Sequence, residues 1–196
     1  MGNGIVNALK NEFDIEDHWM SYELHPETPP EGIALKQSFP QMNIQERQNQ
    51  FNKMGAPYGI VFNNLSRVVN THLALQASEF AREEGKFHEY HEKLLYANYT
   101  EGKNIGDINV LLELAQNVKL DPQKLEIAIR QKRYEPRLLE VQDQAEKDQI
   151  MATPTVIIND QFRIVGAQSF QTFRKKFKDI ESGNLTQPFT LSMTKK

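Results

Sequence analysis

Apolar residues at the amino terminus recur at helical spacing over residues 4–13. The members of this stripe are Ile5, Ala8, Leu9 and Phe13. Residues 15–24 then alternate between apolar and polar, with Met20, Tyr22 and Leu24 on one face, and this alternation predicts a strand. The His25-Pro26 pair ends the predicted strand, and a proline-rich loop follows it up to Gly32.

The central part of the chain, residues 44–149, has helical spacing almost throughout. Residues that favour helix starts precede its apolar stripes: Asn64, Asp107, Asp121-Pro122 and Glu135-Pro136. We expect Asn64 to cap a helix that begins at Leu65, and Gly85 to end that helix. The pattern therefore predicts a subdomain of several antiparallel helices.

The carboxyl-terminal part changes to a β pattern and then back to a helix. The segments 155–158 and 162–165 are rich in β-branched and aliphatic residues, and Asn159-Asp160-Gln161 between them predicts the turn of a hairpin. The helix that follows has large apolar residues at spacings of three, four and three: Phe170, Phe173, Phe177 and Ile180.

The order of these elements predicts one α/β unit that a helical insertion divides. Its first part covers residues 1–35, the insertion covers 40–149, and its second part covers 150–182. Residues 183–196 are expected to form a loosely held tail. The opening is abrupt for such a unit, because a helix comes first and no strand precedes it.

Composition excludes several classes of protein. The 196 residues suffice for one large domain, or for a smaller domain with an insertion. A net charge of −3 and a pI near 6.0 argue against nucleic acid as a partner. A mean hydropathy of −0.61, without an apolar run of the roughly 18 residues that span a membrane, argues against a membrane. The first residues lack the pattern of a secretory signal, so we expect a cytoplasmic protein.

The candidate chemistry is limited, because the chain contains no cysteine. It can supply no disulfide, no thiolate nucleophile and no cysteine ligand to a metal. His88 and His91 lie three apart on a predicted helix, but a third ligand at a known spacing is missing. We therefore interpret them as an exposed polar helix face, and we expect no metal site.

The most informative stretch is Thr153-Pro154 and the β segment directly after it. A proline at the start of a buried strand contributes no N–H and holds the preceding residue in an extended conformation. On frequency alone the Thr153-Pro154 bond is expected to be trans, since about 5–6% of such bonds are cis.

Several stretches of the chain resemble the DsbA family, in particular its FrnE-like and 2-hydroxychromene-2-carboxylate isomerase-like branch. There, a Pro-Thr or Pro-Phe pair, an apolar run, a turn, a strand and Gly-Ala-Gln precede the last helix. The stretches that carry the resemblance are residues 152–160, 164–168, 19–32, 70–85 and 104–107. The resemblance covers nearly all of residues 2–180.

This resemblance implies a thioredoxin-like fold with a large helical insertion. It implies that Thr153 and Pro154 form the cis-proline loop, which pairs with an extended peptide or holds a small thiol or disulfide compound. It places Gly2 and Asn3 at the start of the active-site helix, and it raises glutathione as a candidate cofactor. The loop 25–32 favours the oxidoreductase over the isomerase.

The chain departs from the family at its amino terminus. In the family a strand and a Cys-x-x-Cys motif precede the first helix, and here neither has a counterpart. Without a thiolate we expect no thiol–disulfide exchange from these 196 residues.

Three explanations follow from this difference. The first, which we favour, is that about a dozen leading residues are missing from an ordinary family member. The second is a redox-inactive relative that binds peptides or glutathione without chemistry. The third is a helical interaction module whose open sheet edge is filled by a second copy, which makes it a homodimer.

Overall fold

The computed structural model describes residues 1–63 and 65–184. Residue 64 and residues 185–196, which include the expected cap Asn64 and most of the expected tail, lie outside the described residues. The elements in chain order are α1 (Gly2–Leu9), β1 (Ile33–Ala34), α2 (Leu35–Ser38), α3 (Ile44–Gly55), a 3-10 helix (Ala56–Tyr58), β2 (Arg67–Val68), α4 (His72–Glu83), α5 (Phe87–Tyr99), α6 (Ile108–Asn117), α7 (Pro122–Arg130), α8 (Glu135–Lys147), β3 (Thr155–Ile158), β4 (Phe162–Val165) and α9 (Phe170–Glu181).

The predicted strand at residues 15–24 is wrong, since no strand pairs with these residues within the described part of the chain. Burial does alternate along this segment, but the side that carries Met20 faces solvent and the side that carries Ser21 is buried: Met20 is 52% exposed. Alternation indicates that one side of a segment is buried, whereas a β-strand also requires a neighbouring strand that hydrogen-bonds to its backbone. Here side chains of α4 take that place, as described below.

The helix expected from Leu65 begins later, at His72. Arg67 and Val68 instead pair antiparallel with Ala34 and Ile33 in a two-stranded sheet. The pairing with β1 overrides the helical spacing of residues 65–69, because a short apolar stripe does not distinguish the two structures. The predicted end of the helix is confirmed, as Gly85 follows it with a positive φ of 68°.

The start signals of three later helices are confirmed. The Asp107 carboxylate accepts a hydrogen bond from the N–H of Asn109, and the Asp121 carboxylate accepts from Gln123 and Lys124. Glu135 is the first residue of α8, with a proline beside it in the first turn. These contacts satisfy N–H groups that the first turn of a helix leaves free.

The predicted hairpin is also confirmed. β3 pairs antiparallel with β4, with Thr155 opposite Val165 and Ile158 opposite Phe162. Asn159 and Asp160 both have positive φ, 51° and 55°, as the tight turn of a twisted hairpin requires.

Two separate apolar clusters form the core. The first lies within the helices α4 to α7 and is centred on fully buried residues such as Tyr90, Leu111 and Leu125. The second joins α1, the hairpin and α9: Ile5, Leu9, Phe13, Ile158, Ile164 and Phe173. The second cluster brings the first residues of the chain against the hairpin, and this packing creates the candidate site.

Candidate functional site

The start of α1 lies directly against the Thr153-Pro154 loop. A Cβ atom on Gly2 would lie 3.2 Å from the Cβ atom of Pro154 and 3.3 Å from its Cγ atom, so the Gly2 backbone lies close to the Pro154 ring. The Thr153-Pro154 peptide bond is cis. The structure thus brings together Gly2 and Pro154, which come from opposite ends of the sequence.

Thr153 is exposed, and its backbone is available to a ligand. Within residues 1–63 and 65–184, neither its N–H nor its C=O makes a hydrogen bond. The loop around it is held in place, because the Pro154 carbonyl accepts from the N–H of Gly166 at 2.8 Å and the Thr155 hydroxyl donates to the Ala152 carbonyl at 2.7 Å. A rigid loop with a free peptide group suits backbone pairing with an extended chain.

Two further elements border the start of α1. The Asn3 side chain donates to the Glu92 carboxylate on α5 over 3.4 Å. A Cβ atom on Gly4 would lie 2.7 Å from the Cβ atom of Tyr58 in the 3-10 helix, which permits only glycine at this approach. The predicted site residues Gly2, Asn3, Thr153 and Pro154 therefore lie at one location, next to α5 and the 3-10 helix.

His91, next to Glu92 on α5, corrects the interpretation of His88 and His91 as one exposed face. His88 is exposed, but His91 is half-buried, stacked on Phe87 with ring centroids 5.3 Å apart and within 5.2 Å of the Trp19 ring. Burial among these rings lowers the pKa of His91 to about 4, and the nearby charges of His88, Arg82 and the Met1 amino group act in the same direction. At neutral pH the imidazole is therefore uncharged.

A polar network fixes Trp19 and its neighbours to α4. The Ser21 hydroxyl donates to the Glu79 carboxylate at 2.5 Å, and Arg82 donates to the same carboxylate at 3.1 Å and to the Trp19 carbonyl at 2.6 Å. Arg82 also lies over the Phe87 ring, 4.0 Å from its centroid. This network gives the segment 15–24 the anchoring that a strand partner would otherwise provide.

The sequence patterns did not indicate Glu79, Arg82 or the environment of His91. A signal was available, since Glu79 directly precedes the apolar pair Phe80 and Ala81 in a predicted helix, and a buried carboxylate needs a partner. The partners themselves lie about 60 residues earlier in the chain, and no local pattern connects them.

The residues that the structure brings together at this site include no thiol. The chain has no cysteine, so no thiolate stands at the start of α1. No group of three or more metal-ligating side chains occurs in the described ranges. None of the helices within those ranges is both long and apolar enough to cross a membrane.

Comparison with known proteins gives consistent matches. The model of the DSBA-like thioredoxin domain family matches residues 2–178. A Bacillus subtilis (strain 168) protein named YwbO, itself uncharacterised, is 35% identical over 181 residues, which cover 88% of this chain and 85% of that protein.

Two crystal structures share the fold at low sequence identity. A probable DsbA oxidoreductase from Streptomyces coelicolor has a TM-score of 0.84 and 17% identity, over 97% of this chain and 86% of the other. A protein from Nitrosomonas europaea has a TM-score of 0.68 and 10% identity, over 92% and 90% of the two chains. These matches confirm the predicted thioredoxin-like fold.

Proposed function

Since this chain belongs to the DSBA-like thioredoxin domain family, we propose that it binds an extended peptide, or a small thiol or disulfide compound, beside Thr153 and Pro154. The observation that carries this proposal is the free peptide group of the exposed Thr153, on a loop that packs against Gly2. A peptide that runs antiparallel to this loop gains backbone hydrogen bonds, and its side chains contact the surrounding surface.

Binding is proposed without thiol–disulfide exchange by the chain's own atoms. Exchange needs a thiolate that attacks a disulfide sulfur, and these 196 residues contain none. Their six methionines carry thioethers, which do not replace a thiolate. The family relationship therefore supports the fold, and the proposal assigns no redox step to the residues of this chain.

The finer assignments belong to the same proposal. The loop at residues 25–32 supports the FrnE-like branch of the family, and glutathione is a candidate small ligand because it is both a peptide and a thiol. A cytoplasmic location stays a prediction from the sequence.

A second candidate function is self-association, and the hairpin favours it. The Gly166 N–H donates to the Pro154 carbonyl, so Pro154 and every second residue after it face β4 with their backbone polar groups. The N–H and C=O groups of the residues between them, Thr155 and Ile157, therefore point away from β4. Within the described residues no strand pairs with this edge. A second copy could add its own β3 there, and a monomeric mass by light scattering would exclude this function.

Calorimetric titration with an eight-residue peptide that carries one alkylated cysteine tests the primary proposal. The matched control is the same peptide with N-methyl groups on alternate backbone nitrogens, which keeps the side chains and removes the pairing donors. We expect the first peptide to bind and the second to bind at least about tenfold more weakly, as loss of two backbone hydrogen bonds predicts. Equal binding of both peptides, or no heat with folded protein, would contradict the proposal.

A further inference from the structure

His72, the first residue of α4, lies between two carboxylates from distant parts of the chain. Its Nδ1 atom is 2.9 Å from Oε2 of Glu23, and its Nε2 atom is 2.8 Å from Oε1 of Glu135. Glu23 belongs to the segment 15–24, and Glu135 is the first residue of α8. These three residues, which we call the His72 triad, therefore join three separate parts of the fold.

With both carboxylates ionised, the geometry requires a charged imidazole. A neutral ring has one N–H and one lone pair, so one of the two carboxylates would face a lone pair instead of a donor. Only the imidazolium donates to both Glu23 and Glu135. Burial by itself lowers the pKa of His72, but the hydrogen bonds and charges of the two carboxylates outweigh it, and the net direction is upward.

Few other charges face the ring. Lys132 stands 3.9 Å from the Glu135 carboxylate, with its side chain largely in solvent. The start of α4 is itself unfavourable for a cation, because the N-terminus of a helix carries partial positive charge. The same partial positive charge at the start of α8 stabilises the negative charge of the Glu135 carboxylate. The two carboxylates are thus what holds the proton on His72.

The triad also connects to the candidate site along one segment. Glu23, Ser21 and Trp19 alternate along residues 19–23, and each contacts a residue of α4 or α5. Trp19 lies at the far end of this series, against His91, which is next to the Glu92 that Asn3 contacts. Glu23 and Trp19 therefore belong to one short segment, four residues apart.

We propose that the His72 triad is a proton-dependent connection that holds the segment 15–24 against α4 and α8 and releases it when His72 loses its proton. After deprotonation, Glu23 and Glu135 face a neutral ring and repel each other, and one of them has no donor. The segment then loosens from its Glu23 end, and the surroundings of Trp19 change with it. The proposal does not depend on peptide binding.

Fluorescence of Trp19 provides the test, because it is the only tryptophan of the chain. We expect one transition in its emission as the pH rises from 6.5 to 10 in the full chain. The same transition is expected in the control His25→Gln, which removes an exposed histidine that also lies near a glutamate. It is expected to be absent in His72→Gln. Titration of His91 falls near pH 4 and does not overlap with this range, and N-terminal acetylation of every protein removes the titration of the Met1 amino group, which lies near His91.

A second variant keeps the test decisive if His72→Gln does not fold. Glu135→Gln retains the Glu23 contact and removes one of the two charges, so the transition should move about one pH unit lower. Nuclear magnetic resonance of the His72 ring would report the same midpoint as the fluorescence. Absence of any transition up to pH 10, its persistence in His72→Gln, or an unchanged midpoint in Glu135→Gln would overturn the proposal.

Discussion

Gly2 and Pro154 approach each other closely, with 3.2 Å between the Pro154 Cβ atom and the position that a Cβ atom on Gly2 would take. This contact joins the start of the first helix to the loop that precedes the hairpin. Every predicted site residue lies within this small area or beside it. The site therefore depends on how closely α1 approaches its neighbours, and glycine substitutions can test that approach.

Alanine at Gly4 is expected to destabilise the protein by about 1–3 kcal/mol, because its Cβ atom would lie 2.7 Å from the Cβ atom of Tyr58 and the rigid 3-10 helix must move. Alanine at Gly2 meets Pro154 at 3.2 Å and should change the free energy of unfolding by less than about 1 kcal/mol. Urea unfolding of the two variants measures the difference. A smaller loss for Gly4→Ala than for Gly2→Ala would refute the described packing of α1.

Acidification should destabilise the protein through His91. Its pKa is lowered to about 4, so the unfolded chain binds a proton below about pH 6.5 that the folded protein does not accept until about pH 4. Stability should therefore fall by about 3 kcal/mol as the pH drops through this window. His91→Gln should remove this part of the dependence, while His25→Gln, at an exposed position away from His91, should leave it. Identical acid profiles for wild type and His91→Gln would show that His91 titrates normally.

His72 should make the protein less stable as the pH rises, which is the opposite direction from the effect of His91. Its pKa is raised, so its stabilisation is complete below the pKa of the unfolded chain and is lost as the pH rises through the folded value. Together the two histidines predict maximal stability near pH 6.5. Thermal unfolding between pH 4 and pH 9 measures this profile. A maximum above pH 8 would contradict the charged state of the His72 triad.

The hairpin turn offers a stabilising substitution. Asp160 has a φ of 55°, a conformation that glycine adopts without cost, and Asn-Gly is the preferred pair for this turn. Asp160→Gly should stabilise the protein by about 0.5–1 kcal/mol in urea unfolding, and Asp160→Ala should destabilise it. If both variants lost stability equally, the turn would differ from the one described.

The local signals of the sequence predicted much of this fold. Four predicted features that depend only on residues a few positions apart are confirmed: the helix caps at Asp107 and Asp121, the helix end at Gly85, and the hairpin. Family resemblance predicted the thioredoxin-like fold. It also selected the four site residues that the structure brings together, although their role in binding stays a proposal.

The errors share one physical cause, which is that long-range contacts override local patterns. Residues 15–24 alternate as a strand does, but Glu79 and Arg82 on α4 fix them instead of a backbone ladder. Arg67 and Val68 pair with a segment more than 30 residues earlier, against their helical spacing. His91 is enclosed by Phe87 from its own helix and by Trp19 from a distant segment, and sequence spacing identifies only the first.

The central claim is that Thr153, Pro154 and the start of α1 form one binding surface, and backbone resonance mapping tests it most directly. Amide chemical shifts of the full chain would be recorded during titration with the alkylated-cysteine peptide. We expect the largest changes at Thr153, Gly2 and Asn3, and none on the distant surface of α7. Changes confined to other elements, with Thr153 unaffected at saturation, would contradict the proposed function.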